Sequence, residues 1–528
     1  MTAAMLTLAV ALAVINIIRI QAEVYSSFAH LERSLQAEQS LAKDIKDYIK
    51  QEKVRLEKLE RAAEEYEQHS KAALANSESF MGNPINAYLF MKRFTTDWAD
   101  LSHLLQEDHS YDLLANFEEI RNKGFLPQLV DLQGAAAALM RLQDTYNLNT
   151  SEIASGILQG VKRSPGLSAF DCFYFGKYAY NQSDYYHTLL WMQEALNRLP
   201  FEPDSPIDRI TILDYLTFAT FKQGNVRHAL LLANEMLQID PENERALQNK
   251  RYFLSNLEES DQPMTIENKR PHRGVRDEEY ENYEKLCRGD SIKPFKTPKR
   301  THKLTCSYET NKSPNLLLRP FKVEVLYHSP KIVMWHDVLS EVEMKKVKEL
   351  ATPRLNRATV HNPVTGKLEF AEYRVSKSVF LDSDIDPVVE VISQRIADIT
   401  GLDMSTAEGL QVANYGMGGQ YEPHFDFARR RETHAFSDAI GNRIATVLFY
   451  MTDVEAGGAT VFPKLGVKVF PKKGSAAFWY NLRRSGIGDY RTRHAACPVL
   501  SGAKWVCNKW LHERGQELRR TCSTNPKE

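Results

Sequence analysis

The chain has 528 residues, of which 43% are apolar and 26% charged, and its formal net charge is -1. That length exceeds what one hydrophobic core supports and predicts three or four domains. A nearly neutral chain has no field to gather a polyanion, so nucleic acid is excluded as a partner and partners must be argued from sites.

Residues 1–22 carry an apolar run from Leu6 to Ile18 that ends in small and polar residues, the pattern of a signal peptide cleaved near Ala22. The run is shorter than the roughly 20 apolar residues a spanning helix needs, so no membrane anchor is expected. Three Asn-x-Ser/Thr sequons, at Asn149, Asn181 and Asn311, fit glycosylation in the endoplasmic reticulum lumen. Six cysteines in such a compartment are available for disulfides. Cys287 and Cys306 lie close together in a polar stretch, and Cys497 and Cys522 bracket the C-terminal strands, which suggests these two bridges and leaves Cys172 and Cys507 free.

From residue 23 to 165 the pattern is helical. Leu31, Leu35, Ala42, Ile45, Ile49, Leu56, Leu59, Ala63 and Tyr66 recur in steps of three and four, a heptad stripe interrupted by Glu38 and Glu52. The stripe suits a dimerising coiled coil, or else one long amphipathic helix folded onto its own domain. Residues 166–260 read as paired helices of tetratricopeptide type: one unit spans Phe173 to Leu199, and a clearer one places Tyr215, Phe218 and Ala219 before a turn at Gly224-Asn225 and Ala229, Ala233 and Leu237 after it. Its aromatic density suggests a groove for an extended proline-rich peptide, with Tyr178, Tyr215 and Phe218 as candidate contacts, although ordinary core packing would also account for such residues. Residues 261–330 turn to Pro, Lys, Arg and Glu and read as a linker. From 331 to 520 short runs such as Ala445 to Thr452, Val467 to Pro471, Ser475 to Tyr480 and Trp505 to Leu511 predict a double-stranded β-helix, or jelly roll. The fold class is therefore multidomain α + β.

The chemistry concentrates in this last region. His424 and Asp426 are two residues apart, so on an extended strand they point the same way. His494, on a neighbouring strand, would complete a face of two imidazoles and one carboxylate, which leaves three adjacent positions open as oxygen activation on Fe(II) needs, although zinc hydrolases share these ligand types and Lys504 is what separates the two readings. Lys504, between apolar neighbours, calls for an anionic partner such as the far carboxylate of a chelating dicarboxylate.

These residues sit inside Gln411-Val412-Ala413-Asn414-Tyr415-Gly416, Tyr421-Glu422-Pro423-His424-Phe425-Asp426 and Gly457-Gly458-Ala459-Thr460-Val461-Phe462-Pro463, and the chain closes with Lys509-Trp510-Leu511-His512-Glu513-Arg514. The segment from about Gln411 to Glu517 closely resembles the catalytic region of collagen-type prolyl 4-hydroxylase α subunits. Pro84-Ile85-Asn86-Ala87-Tyr88, Thr95-Thr96-Asp97-Trp98 and Asp184-Tyr185-Tyr186-His187-Thr188 are similar to that family's N-terminal and peptide-binding domains. The resemblance implies His424, Asp426 and His494 as iron ligands and Lys504 as partner of the 2-oxoglutarate C5 carboxylate. It places Tyr415 and Thr460 in the cosubstrate pocket and Trp510 on the substrate side. It implies hydroxylation of proline at C4 in X-Pro-Gly with decarboxylation of 2-oxoglutarate to succinate, using O2, with L-ascorbate restoring oxidised iron. It also implies a tetramer of two catalytic and two protein disulfide isomerase (β) subunits. The final residues, Asn525-Pro526-Lys527-Glu528, are not a usual retrieval signal, so a partner carrying one would explain lumenal residence. Two rival readings are a related dioxygenase acting on another prolyl protein and a non-catalytic scaffold that binds proline-rich ligands.

Overall fold

The structure is a computed structural model that describes residues 23–77, 83–107, 109–124, 126–257, 267–271, 277–292, 303–361, 368–429, 432 and 435–528. The expected signal peptide lies outside the described residues. Two compact units are present: His30–Gln128, and Tyr25–Ala29 with Leu129–Glu528. Among the described residues no helix is long and apolar enough to cross a membrane.

In the first unit the long helix Phe28–Ala75 is followed by the helices Pro84–Lys92, Trp98–Gln106 and Ser110–Asn122. The long helix carries two stripes. Leu41, Tyr48, Leu59, Ala62 and Tyr66 are half-buried, with Tyr66 stacked on Trp98 at 5.5 Å and Arg55 donating to the Leu104 carbonyl. Along the predicted heptad positions Leu35, Ile45, Ile49 and Leu56 are exposed by 66%, 47%, 44% and 55%. The heptad positions are therefore split: Leu59 and Tyr66 pack within the unit, while Leu35, Ile45, Ile49 and Leu56 do not.

The second unit takes in the helix Leu129–Tyr146, because its Met140 joins the core of the repeat helices. By contacts within the fold the N-terminal helical region is divided at residue 128, its helix Leu129–Tyr146 belonging to the second unit. The repeat comprises Ala169–Asn181, Tyr185–Arg198, Arg209–Lys222 and Val226–Ile239, capped by Glu244–Leu257. Each of the first four helices begins where Ser168, Asp184, Asp208 or Asn225 accepts a hydrogen bond from a backbone N–H of the first turn. Trp191, Met192, Ile212 and Leu213 fill the space between them.

The C-terminal strands form two facing sheets. The large one has nine strands in the order Cys306–Glu309, Phe321–Tyr327, Ile332–His336, Ala476–Tyr480, Arg443–Tyr450, Lys504–His512, Leu410–Tyr415, Lys377–Leu381 and Asn356–Arg357. The small one runs Tyr421–His424, His494–Ala496, Thr460–Phe462 and Val467–Val469. Alternation sorts the side chains. Tyr415, Leu448, Tyr450, Phe462, Trp479 and Val506 point between the sheets, while Val412, Val447, Phe449, Cys507 and Leu511 pack under the helices Glu341–Ala351 and Pro387–Thr400. The outer face of the small sheet, with Ala459, Val461 and Ala495, is covered by the helix Asp277–Cys287.

That helix corrects two expectations. Residues 261–330 are not linker throughout, since Asp277–Cys287 packs on the small sheet and Cys306–Glu309 and Phe321–Tyr327 extend the large one. The proposed Cys287–Cys306 and Cys497–Cys522 bridges are replaced by one between Cys287 and Cys497, whose Cα atoms are 5.5 Å apart. Proximity in sequence misled, because Cys287 ends a helix on the small sheet whereas Cys306 begins an edge strand of the large one. Cys306 and Cys522 are exposed thiols, and Cys172 and Cys507 are buried thiols. The observed bridge closes a loop of 210 residues, and in the chain-entropy account such a loop stabilises the fold by up to about 5 kcal/mol. Accordingly Cys287→Ser and Cys497→Ser should each lower the apparent unfolding temperature by several degrees, while Cys306→Ser and Cys522→Ser leave it within error. The reverse order in differential scanning fluorimetry would contradict this pairing.

Candidate active site

His424 ends the strand Tyr421–His424 and His494 begins His494–Ala496, and the antiparallel register sets the two opposite each other. Asp426 follows His424 by two residues. The ligand atoms of all three lie within 4.8 Å of one another, with each histidine Nε2 3.6 Å from an Asp426 oxygen.

The orientation of both rings is set from behind. His424 Nδ1 donates to the Glu422 carbonyl at 2.8 Å, and His494 Nδ1 donates to the Thr492 carbonyl at 3.0 Å. A carbonyl can only accept, so the proton sits on Nδ1 and the Nε2 lone pairs face the shared centre. Tyr421 stacks on His424 with ring centroids 3.5 Å apart, and Trp479 meets His494 at 4.7 Å. Burial lowers the His494 pKa to about 4, which keeps that imidazole neutral. For Asp426 burial works the other way and would raise the carboxyl. The His494 and His424 rings, with Arg443 beyond them, outweigh it and hold Asp426 well below the usual carboxylate range. A neutral His494 imidazole and an ionised carboxylate are protonation states that a divalent metal requires.

The strand Lys504–His512 turns Lys504, Val506 and Trp510 into the space between the sheets. Lys504 is 1% exposed, and its ammonium nitrogen has no hydrogen-bond partner. Its neighbour is the Tyr415 ring, with Nζ 4.7 Å from the centroid. Burial alone pulls the Lys504 pKa down to about 7. Gly458, at a φ of +68°, leaves room for the lysine stem, since a Cβ there would lie 3.3 Å from Lys504 Cδ. Thr460 is also buried and accepts a hydrogen bond from the Tyr450 hydroxyl at 2.8 Å. A buried ammonium without an acceptor is costly alone and is satisfied by a carboxylate bound beside it. A small diacid that chelates a metal at one end would supply such a carboxylate.

The candidate peptide contacts are placed unequally. Tyr178, Tyr215 and Phe218 are half-buried on the repeat helices, where Tyr180 meets Tyr215 at 4.9 Å and Phe218 at 5.9 Å. Trp510 is only 6% exposed beneath the Arg443 guanidinium, 3.8 Å from its ring, and offers little surface to a peptide. Tyr178 also lines a cavity of about 370 Å³ that is bounded by Arg141, His187, Gln420 and Glu422, so it lies on the side of the repeat nearest the His424 strand. Asn149 and Asn311, like Asn181, are exposed. Four contributors to the site were not expected from sequence: Thr446, Asn481, Arg443 and Trp479. Thr446 was detectable in principle as a lone hydroxyl within the apolar run Ile444 to Tyr450.

Comparison with known proteins finds matches along nearly the whole chain. Residues 27–160 match the family described as prolyl 4-hydroxylase alpha-subunit, N-terminal region. Residues 169–259 match the prolyl 4-hydroxylase peptide-substrate-binding domain, and residues 410–512 the 2OG-Fe(II) oxygenase superfamily. The chain is 49% identical over 516 residues to prolyl 4-hydroxylase subunit alpha-1 of Homo sapiens, covering 94% of this chain and 95% of that one. It is 48% identical over 513 residues to the alpha-1 subunit of Gallus gallus, covering 95% and 99%, and 46% identical over 508 residues to the alpha-2 subunit of Caenorhabditis elegans, covering 95% and 93%. Its cofactor and cosubstrates are Fe(II), 2-oxoglutarate and O2. With two inward imidazoles, a carboxylate and a buried lysine at its centre, the chain belongs to the prolyl 4-hydroxylase α-subunit family of dioxygenases.

Proposed function

We propose that the chain is a procollagen-proline 4-dioxygenase, with His424, Asp426 and His494 as its iron ligands and Lys504 as the group that binds the far carboxylate of 2-oxoglutarate. The observation that carries this reading is the buried, acceptorless ammonium of Lys504, held between the same two sheets as the three convergent ligands. Bound Fe(II) and 2-oxoglutarate supply the oxidising chemistry, in which the diacid is decarboxylated to succinate and C4 of a proline in X-Pro-Gly is hydroxylated.

The residues of the chain bind, orient and exclude water. Lys504 gives a diacid one charge-assisted anchor, and its fixed strand position sets the depth of the keto-acid end. Tyr415 and Thr460 line the passage beside it, and Phe462, Trp479 and Val506 keep that passage apolar. The Nδ1 bonds to Glu422 and Thr492 hold both imidazoles ready, so binding a metal requires no rearrangement of tautomers. On the repeat helices Tyr178, Tyr215 and Phe218 present aromatic faces suited to a polyproline II peptide.

Assembly with protein disulfide isomerase as an α2β2 tetramer in the endoplasmic reticulum lumen, with L-ascorbate restoring oxidised iron, completes the reading. It is supported by family membership and by the exposed heptad stripe Leu35, Ile45, Ile49 and Leu56, which gives a second α subunit an apolar face to pair with. Glycans at Asn149, Asn181 and Asn311 are compatible with their exposure.

Three measurements check this reading. Release of succinate from 2-oxoglutarate with Fe(II) should rise strongly when a (Pro-Pro-Gly) repeat peptide is added, and unstimulated turnover would remove the assignment. Lys504→Ala should raise the KM for 2-oxoglutarate by roughly 100-fold, the scale of an ion pair lost from a desolvated site, while Co(II) affinity stays near that of the unmodified enzyme. Equal loss of both would mean that Lys504 shapes the metal site rather than the diacid pocket. Finally, Ile45→Lys with Ile49→Lys should halve the number of catalytic chains per assembly in light scattering while leaving turnover of short peptides intact, whereas an unchanged mass would place the dimer contact elsewhere.

A further inference from the structure

Asp426 has one strong hydrogen-bond donor besides the groups already described, and the direction of that bond is fixed by a third residue. The Thr446 hydroxyl lies 2.7 Å from Asp426 Oδ2. Asn481 Nδ2 lies 2.9 Å from the same hydroxyl oxygen. All three side chains are buried, Thr446 and Asn481 each at 1% exposure and Asp426 at 7%. An amide N–H can only donate, so Asn481 fills an acceptor position on the Thr446 oxygen, and the single hydroxyl proton is left for the carboxylate. Thr446 sits on the strand Arg443–Tyr450 and Asn481 follows the strand Ala476–Tyr480, which are paired neighbours in the large sheet. The relay therefore reaches Asp426, on the loop after the small sheet's edge strand, from two rigid strands of the opposite sheet.

We infer that Asn481 and Thr446 are positioning residues that hold the Asp426 carboxylate in the rotation needed to complete the metal face, with Oδ1 3.6 Å from His424 Nε2 and Oδ2, 3.6 Å from His494 Nε2, held by the Thr446 hydroxyl. This inference rests on the reading of His424, Asp426 and His494 as ligands. Asp426 lies just beyond the strand end, where no ladder hydrogen bond fixes it, and a carboxylate on a loop has two free torsions. A donor aimed at one oxygen removes the rotational freedom that metal binding would otherwise have to remove, so its loss weakens the metal before it touches any later step. The Arg443 guanidinium near the Asp426 carbonyl, at 3.4 Å, steadies the backbone at the same point but leaves the side-chain rotation unfixed.

The test uses the full-length chain and Co(II) as the probe, titrated by its visible absorption, so that it does not depend on turnover. Thr446→Val keeps the shape of the side chain and removes the hydroxyl, and should weaken Co(II) binding by about 10- to 100-fold, as loss of a partner behind a ligand does in other metal sites. Thr446→Ser restores the donor and should return the affinity to within a few-fold of the unmodified chain. Asn481→Ala, which frees the hydroxyl to turn away, should give a smaller loss than Thr446→Val. Wild-type affinity in Thr446→Val, or a serine variant as weak as the valine one, would overturn the inference. Asp426→Ala is measured alongside, because retention of Co(II) in that variant would instead sink the ligand assignment. A circular dichroism melt separates a misfolded valine variant from a weak binder, and if it is misfolded the serine and alanine variants decide by the same criteria.

Discussion

The whole site depends on one register. Antiparallel pairing of Tyr421–His424 with His494–Ala496 places His424 directly across from His494, and the carboxylate two residues on completes the group. Because side chains alternate along a strand, a slip of one residue would send one imidazole to the outer face, under the helix Asp277–Cys287. The register is held by what lies on either side. Thr460–Phe462 pairs with the His494 strand from its other edge, and Ala459, Val461 and Ala495 are buried against that helix.

Charge burial is the cost of this architecture, and the chain deals with each charge differently. Asp426 is ionised because two imidazoles, a hydroxyl and a nearby guanidinium face it. Glu408, at the far end of the same interior, is held down to about 2: burial opposes ionisation, but Arg443 and His512 beside it prevail. Lys504 is left without an internal acceptor, the condition that a bound carboxylate would relieve.

Much of this was legible from residue patterns, for reasons that can be named. The repeat helices announce themselves through caps and aromatic spacing, and the observed helices start at Ser168, Asp184, Asp208 and Asn225. The triad was legible because His424 and Asp426 arrive inside a run of flanking motifs together with His494 and Lys504, and not from the two-residue step by itself, since the strand ends at His424. The cysteine pairing was not, since spacing along the chain carries no information about which face of which sheet a residue reaches. Thr446 and Asn481 escaped for the same reason, being 35 residues apart and meeting only through strand pairing. The division of the N-terminal region was hidden because Leu129–Tyr146 continues the helical pattern before it, and its allegiance is decided by Met140 and its neighbours packing on the repeat.

The Cys287–Cys497 bond also bears on the order in which the molecule is made. Cys497 stands three residues after His494, so the covalent tie reaches almost to the convergent triad from a helix laid down 210 residues earlier. During synthesis Cys287 must wait as a free thiol until the ribosome has passed the His494 strand. Oxidation then seals the small sheet only after that strand has found its place. An oxidant acting too soon would have only wrong partners to offer Cys287, among them the exposed Cys306, so the maturation of the small sheet is tied to the timing of thiol chemistry where the chain folds.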